Sequence, residues 1–405
     1  MRKSVSAWLV IVAGALLASG VNLANAQQKA PALTKAVQKA LAAADAASKK
    51  RNFSECIAKG RDAEAVPNKT ANDNNTIAEV MAYCFIQTKD YGSAAKYYEQ
   101  TLDNVSGSTL EKRIQALAQM YNVQGNYGKA IEYSQRAIKG GYGDADMYII
   151  AGQAYYRQGD YKTTAKFVGD YVEKIERNGG TPKEQLVLMV FDSCRRLSDD
   201  ACTTASLEKL VRYYQKEDYW KNLVISLFRS GDAKGDRATL QLYRLASEVN
   251  AMPRPQYSVE MAQLAMEAGF PGEAQAICEN MVTKKVFTEK LDVDRVNRLL
   301  ASAKSRAAID KPQINSELAK AKTGVAMTKI GEAFLGYGML PQAVDAISRG
   351  ITTGGLKSPA DAQLVLGIAQ LRSGNKADAA KAFAAVKGDA FLERLARLWN
   401  LRAQA

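Results

Sequence analysis

The sequence of 405 residues contains no histidine, and this absence excludes several kinds of functional site. Ser-His-Asp and Cys-His catalytic centres, zinc or haem sites with histidine ligands, and histidine-based pH switches all need the imidazole side chain. Proline is also scarce, at 9 residues, while 47% of the residues are hydrophobic and 24% are charged. This composition is typical of a folded globular protein, and not of a disordered or membrane-embedded chain.

Sequence motifs for nucleotide, phosphate and calcium binding are missing as well. There is no GxGxxG or GxxxxGKS/T loop, and no acidic segment has EF-hand spacing. The glycine-rich stretch Gly140–Gly143 is predicted to be a helix C-cap and turn. We therefore expect no cofactor, no metal and no enzymatic activity. A carboxylate pair for glycoside hydrolysis needs only proximity in space, so the sequence leaves a hydrolase open as an alternative.

Long hydrophobic segments are absent except near the N-terminus. Arg2 and Lys3 precede an apolar run, Trp8–Ala18, which is shorter than the roughly 20 residues that span a membrane. An Ala-Asn-Ala sequence ends at Ala26, and this arrangement is typical of a signal-peptidase site. We predict a signal peptide at 1–26 and a periplasmic protein of a Gram-negative bacterium, with no transmembrane segment after cleavage. An uncleaved anchor is the alternative.

Three consecutive segments between residues 76 and 172 repeat one pattern of tyrosines, glycines and alanines. Tyr91 and Tyr127 are 36 residues apart, and Tyr127 and Tyr161 are 34 residues apart. Apolar residues recur three and four positions apart in each segment, which indicates amphipathic helices and not strands. Periods of this length are typical of stacked helical hairpins, because one hairpin cannot bury its apolar face alone.

These segments resemble tetratricopeptide repeats. The residues that carry the resemblance are Ala82, Phe85, Tyr91, Ala94, Tyr98 and Leu102 in the first segment, Leu117, Ala118, Tyr121, Gly125, Tyr127, Ala130, Ala137 and Ile138 in the second, and Tyr148, Gly152, Tyr155, Gly159, Tyr161 and Val168 in the third. Weaker copies precede and follow them. The resemblance implies an all-α fold, a right-handed α-solenoid of about nine to ten helical hairpins, with the amphipathic tail Asp389–Arg402 as a capping helix.

Three short segments carry a closer resemblance: Tyr213–Trp220, Gly354–Leu356 and Leu395–Leu401. They are similar to uncharacterised secreted or periplasmic tetratricopeptide repeat proteins of Gram-negative bacteria, some of which are encoded near TonB-type systems. The link to TonB-type systems is only the position of the relatives' genes, and it implies no mechanism for this chain.

The repeat pattern weakens twice along the chain, which predicts a division into five parts. They are a signal peptide at 1–26, an N-terminal repeat array at 27–182, irregular repeat-like hairpins at 183–287, a degenerate helical pair at 288–322, and C-terminal repeats with the capping helix at 323–405. A rigid array and two arms hinged near residues 285–322 both remain open.

The five cysteines fit a secreted protein, because disulfides form in oxidising compartments. The repeat alignment places Cys194 and Cys202 on facing helices across a short turn, and Cys56 and Cys84 on adjacent helices of successive units. We predict a disulfide between Cys194 and Cys202 and consider Cys56–Cys84 as a second one. Each cysteine, including Cys278, could instead be a small buried core residue. No CxxC spacing occurs, so metal binding and redox catalysis are not indicated.

The resemblance also nominates a binding surface, because first helices line the concave face in this family. In the second to fourth units the outward positions of these helices are Glu79, Tyr83, Gln87, Lys112, Gln115, Gln119, Asn122, Gln153, Tyr156 and Arg157. Gln, Asn and Tyr side chains can hydrogen-bond an extended peptide and offer flat aromatic contacts. These positions do not reproduce the lysine–asparagine set that clamps a terminal carboxylate in the family, and an inert solvated groove is the alternative.

Together these features predict a non-enzymatic periplasmic scaffold that binds a protein or peptide partner in the groove, linked to cell-envelope assembly or TonB-type transport. The net charge of +13 supports an alternative, a protein that binds carbohydrate or another envelope polymer, with a hidden hydrolase site in the irregular centre. Basic residues are scattered among acidic ones, so no nucleic acid partner is expected. The oligomeric state is left undecided.

Overall fold

The computed structural model describes residues 32–404, and within this range the chain forms twenty α-helices, one short 3-10 turn and no strand. The predicted signal peptide at 1–26 lies outside the described residues. The chain divides into two units between Gln158 and Gly159. Both units are built from stacked helices, so the expected all-α solenoid class is confirmed.

Unit 1 consists of two layers of helices. Its helices are α1 Lys35–Lys49, α2 Phe53–Glu64, α3 Ala71–Gln87, α4 Tyr91–Gln100, α5 Gly107–Gln124, α6 Tyr127–Lys139 and α7 Ala145–Arg157, with the 3-10 turn at Leu102–Asn104. Each helix packs on the next, and α1 also contacts α3 while α5 contacts α7. The odd-numbered helices therefore form one layer. Ile77, Met81, Ile114, Leu117 and Ile150 lie in the buried core of this unit.

The aspartate or asparagine before each repeat tyrosine caps the helix that follows. The side chains of Asp90, Asn126 and Asp160 each accept a hydrogen bond, at 3.0, 3.3 and 3.0 Å, from the backbone N–H three residues further along. This bond satisfies one of the free N–H groups at the start of a helix. The repeated Asn-Tyr and Asp-Tyr pairs thus fix where the second helices of the repeats begin.

Unit 2 contains thirteen helices. They are α8 Tyr161–Arg177, α9 Glu184–Arg196, α10 Asp200–Tyr214, α11 Glu217–Ser230, α12 Gly235–Glu248, α13 Pro255–Ala268, α14 Pro271–Thr283, α15 Lys290–Lys320, α16 Gly324–Gly336, α17 Leu340–Thr353, α18 Pro359–Arg372, α19 Lys376–Ala384 and α20 Ala390–Ala403. The last of these packs on α18 and α19, as expected for a capping helix, and also reaches α10 and α12. Asp389 caps it by accepting a hydrogen bond from the Leu392 N–H.

Helix α12 lies in the interior of unit 2. Seven consecutive residues, Leu240–Ala246, are buried, so all sides of the helix are covered over two turns. Helix α12 contacts α13 and α20, and its charged side chains bond to α14, α16 and α18. Helices α16 and α18 are first helices of the C-terminal repeats. In this unit the inner side of those repeats is therefore filled by the chain itself.

An ionic network anchors α12. Arg244 pairs with Glu273 and Glu332, and Arg237 pairs with Glu332 and Asp361. Burial lowers the pKa of Arg244, but the two carboxylates outweigh this and the pKa is raised. A charge removed from water costs several kcal/mol unless it is paired and hydrogen-bonded. The network meets this requirement because the buried Arg244 and the partly exposed Arg237 each face two carboxylates.

One predicted segment differs from the structure. The degenerate helical pair predicted at 288–322 is one helix, α15, because no glycine interrupts residues 290–320 and Pro312 alone does not end the helix. The division into units falls between Gln158 and Gly159, whereas the boundary at 182 and the hinge near 285–322 stay predictions. Tyr155, Gly159 and Tyr161 follow the repeat pattern without a break, so the sequence carries no sign of this boundary.

Candidate interaction surface

All ten residues predicted to line the groove lie on three helices of unit 1. Glu79, Tyr83 and Gln87 are on α3, Lys112, Gln115, Gln119 and Asn122 are on α5, and Gln153, Tyr156 and Arg157 are on α7. Within each helix they are separated by multiples of three or four residues, or are adjacent, so each set shares one face. We call this surface the α3–α5–α7 face. All ten side chains are half-buried or exposed.

An amide pair joins two of the helices that form this face. The side-chain nitrogen of Asn122 on α5 donates a hydrogen bond of 3.1 Å to the side-chain oxygen of Gln153 on α7. Gln115, two turns earlier on α5, donates a bond of 2.9 Å to the carbonyl of Tyr142 in the loop before α7. These hydrogen bonds therefore hold α5 and α7 in register. Each side-chain amide uses one of its two polar atoms in them, and the other is left for a further hydrogen bond.

Glu79 also takes part in a polar cluster with residues of α4 and α5. Its carboxylate accepts hydrogen bonds from Arg113 at 2.9 Å and from the hydroxyl of Tyr98 at 3.0 Å. Arg113 is almost fully buried and also donates to the carbonyls of Asn75 and Thr101. Glu79 thus belongs to a cluster that joins α3, α4 and α5, and its charge is neutralised there.

Sequence reasoning missed two residues, one buried behind the face and one exposed on it. Arg113 occurs among the regularly spaced apolar residues of α5. A charged residue on the apolar side of a helix is the signal that the residue is buried and paired. Val123 lies four residues after Gln119 and is 50% exposed, which makes it an apolar contact point beside the amides. Its apolar side chain lies outside the polar pattern from which the face is predicted.

The remaining positions give the face its chemical character. Tyr83 is 38% exposed and its ring packs edge-on against Phe53, with the ring centres 6.3 Å apart. Lys112 and Arg157 are exposed and supply positive charge, while Gln87 and Tyr156 are half-buried. The α3–α5–α7 face is therefore amide-rich, partly apolar and weakly basic.

Both predicted cysteine pairs are disulfide-bonded in the structure. Cys56 and Cys84 join α2 to α3 with their Cα atoms 6.2 Å apart, and Cys194 and Cys202 join α9 to α10 at 5.7 Å. Cys278 is a free thiol in the core, and burial together with Glu279 raises its pKa to about 11. At neutral pH this thiol is protonated and a weak nucleophile.

Unit 2 contains clefts with volumes of about 350 and 340 Å³. The first lies between α8, α9 and α10 beside the Cys194–Cys202 disulfide. The second lies beside α18, where Arg237, Phe270 and Lys357 contribute to its walls. Among residues 32–404 no group of three acidic or cysteine side chains could hold a metal ion. None of the described helices has the length and hydrophobicity needed to cross a bilayer.

Comparison with known protein families identifies repeats in both units. A tetratricopeptide repeat model matches residues 116–165 and 328–392. Both ranges fall on repeats predicted from the sequence. No curated protein matches the chain significantly.

The solved structures that match this chain share little sequence with it. The Naa15/Naa10 complex bound to HypK-THB is 15% identical with a TM-score of 0.41, and the match covers 91% of this chain and 56% of that one. A tetratricopeptide repeat protein from Parabacteroides merdae is 11% identical, with coverages of 80% and 98% and a TM-score of 0.32. The C-terminal part of a repeat protein from Cytophaga hutchinsonii is 18% identical, with coverages of 62% and 97% and a TM-score of 0.37. The chain thus spans little more than half the length of the first of these.

Proposed function

We propose that this chain, a tetratricopeptide repeat protein, is a non-enzymatic scaffold that binds an extended segment of a protein partner on the α3–α5–α7 face. The repeat fold itself indicates a protein-interaction scaffold, because stacked hairpins present extended surfaces to partners. The observation that carries the proposal is the Asn122–Gln153 pair. It places an ordered donor and acceptor on a half-buried surface between two first helices.

The chemistry of the face suits a peptide backbone. After their mutual bond, the oxygen of Asn122 and the nitrogen of Gln153 remain for one backbone N–H and one carbonyl of a partner. Tyr83 and Val123 add apolar contact on this face, and Lys112 and Arg157 favour a partner segment with acidic residues. In unit 2 the inner side of the C-terminal repeats is filled by α12, so we assign the groove to unit 1.

We further propose that the protein works in the periplasm of a Gram-negative bacterium, with a cell-envelope protein as partner. The features of residues 1–26 support export, and two disulfides suit an oxidising compartment. The identity of the partner decides between a role in envelope assembly and one in TonB-type transport. N-terminal sequencing of the exported protein tests the location: a chain that begins at Gln27 supports it, and an intact N-terminus in the cytoplasm contradicts it.

Affinity capture from envelope extract tests the binding function. The variant Asn122→Ala/Gln153→Ala should lose the partner, while Glu132→Ala/Lys139→Ala, with two exposed changes on α6, should retain it. Circular dichroism and thermal unfolding of both variants establish that they are folded. Equal capture by the two variants, or retention of polysaccharide without any protein, would contradict the proposal.

A further inference from the structure

Helix α15 is attached to unit 2 in a way unlike the other helices. It has 31 residues, and only four of them are buried: Val296, Ala303, Ala307 and Ile314. Their spacing of seven, four and seven residues forms one narrow stripe along the helix. Helix α15 packs through this stripe on α13, α14 and α16. Most of its surface is therefore open to solvent.

The opposite side of α15 carries a second regular stripe. Its residues are Leu291, Arg295, Arg298, Ser302, Ser305 and Ile309. They alternate between three and four residues apart, which is the spacing of a helix seam that packs against another helix. Leu291 is 84% exposed and Ile309 is 65% exposed, and no other large apolar side chain among residues 32–404 is exposed as much. We call this stripe, with the flanking Arg306, the basic face of α15.

The exposed charges on α15 are nearly all positive. Lys290, Arg295, Arg298, Arg306 and Lys311 are exposed, whereas no exposed acidic residue occurs on the helix before Glu317.

The acidic side chains of α15 form no ion pair with these cations in the described part of the chain. Asp292 and Asp294 are half-buried, and Asp310 accepts a hydrogen bond from the Tyr337 hydroxyl. Arg298 and Arg306 form no ion pair within the described part of the chain. Two arginines without an ion pair in the described part of the chain thus lie between two exposed apolar residues.

We infer that the basic face of α15 docks an acidic amphipathic helix of a protein partner. A partner helix with apolar residues near both ends would cover Leu291 and Ile309, and carboxylates between them would pair with Arg298 and Arg306. Arginine suits this role because its planar guanidinium binds carboxylates through two hydrogen bonds. This docking site is separate from the α3–α5–α7 face and does not rest on the function proposed for it.

A membrane surface fits the same face less well. A helix that lies in a bilayer interface buries a continuous apolar side below its cationic flanks. Here the middle of the stripe consists of Arg295, Arg298, Ser302 and Ser305, which would have to enter the apolar region together with the two end residues. A stripe with apolar ends and a cationic centre instead matches a partner helix that has apolar ends and an acidic centre.

A binding measurement with a designed peptide tests this inference. The probe is a capped, helix-forming peptide of about 25 residues, with two leucines at the spacing of Leu291 and Ile309 and glutamates between them. Its affinity for the full disulfide-bonded chain is measured by fluorescence anisotropy at two ionic strengths. We expect binding that weakens with salt, and a loss of at least about tenfold in Arg298→Glu/Arg306→Glu, because two attractions become repulsions.

Matched controls separate specific docking from general attraction to a basic protein. Lys376→Glu/Lys387→Glu makes the same change of charge at exposed sites on other elements of unit 2 and should bind the peptide as the parent does. Arg298→Glu/Arg306→Glu should bind more tightly than the parent to a peptide in which lysines replace the glutamates. Leu291→Ser/Ile309→Ser should also weaken binding.

Three outcomes would overturn the inference. The first is no binding of the acidic peptide. The second is an equal loss in Arg298→Glu/Arg306→Glu and in the control variant. The third is arginine-dependent binding to phosphatidylcholine vesicles that contain phosphatidylglycerol, together with no binding of the peptide, which would assign the face to a membrane surface.

Discussion

Arg244 and Glu332 are 88 residues apart in the sequence and form an ion pair with side chains that are only 2% and 6% exposed. Arg244 lies on α12 and Glu332 on α16, so the pair joins the central helix of unit 2 to the C-terminal repeats. Glu332 also accepts a hydrogen bond from Arg237. This carboxylate is therefore shared by both arginines of the network.

The first prediction concerns the loss of this shared carboxylate. Glu332→Gln should lower the free energy of unfolding by about 3 kcal/mol, because breaking a buried ion pair leaves a charge without compensation. Urea unfolding followed by circular dichroism measures the effect. Glu317→Gln, an exposed change on α15, is the matched control and should alter stability by less than about 0.5 kcal/mol. A similar small effect for both variants would contradict the role given to the network.

The second prediction is the pH dependence of stability. Burial raises the pKa of Glu332, but Arg244 and Arg237 lower it more, so the pKa lies below its ordinary value of 4.5. A carboxyl with a lowered pKa in the folded state contributes stability above its unfolded pKa and loses it as the pH falls through the folded pKa. The urea midpoint should thus decrease below about pH 4.5.

The same profile should be flat near neutral pH. No histidine is present, so no side chain with an ordinary pKa titrates between about pH 6 and pH 8. The buried thiol of Cys278, with its pKa of about 11, remains protonated there. A steep change in the urea midpoint between pH 6 and pH 8 would contradict this account.

The third prediction compares the two disulfides. Cys56 and Cys84 are 28 residues apart, and Cys194 and Cys202 are 8 apart. On the chain-entropy model the longer loop contributes about 3.6 kcal/mol and the shorter about 2.5 kcal/mol. Cys56→Ser/Cys84→Ser should therefore destabilise the protein more than Cys194→Ser/Cys202→Ser. Urea unfolding of the two double variants, with each unit followed by hydrogen exchange, measures the difference, and the reverse order would contradict it.

The repeats of unit 1 could be predicted from the sequence because their determinants are local. The tyrosine spacing, the helical period of apolar residues and the capping side chains of Asp90 and Asn126 all act within a few residues. Because these determinants are local, the three helices that carry the α3–α5–α7 face could also be predicted from the sequence. The role of Glu79 could not, since its partner Arg113 is 34 residues away.

The interior position of α12 could not be predicted, because its determinants are distant in sequence. Locally the segment reads as the second helix of a repeat that begins at Trp220. Its partners Glu332 and Asp361 are 88 to 124 residues further along the chain. The only local sign is an arginine among consecutive apolar residues. The prediction of two helices at 288–322 fails for a local reason. It extends the paired helices of the repeats into a segment in which no glycine interrupts residues 290–320.

The binding role of the α3–α5–α7 face is tested most directly by photo-crosslinking in the cell. A photoreactive phenylalanine takes the place of Gln119 on this face, and in the control it takes the place of Glu132 on α6. We predict that the first position crosslinks to one envelope protein and the second does not. Crosslinks from the Glu132 position alone, or equally from both positions, would contradict the assignment of the partner site.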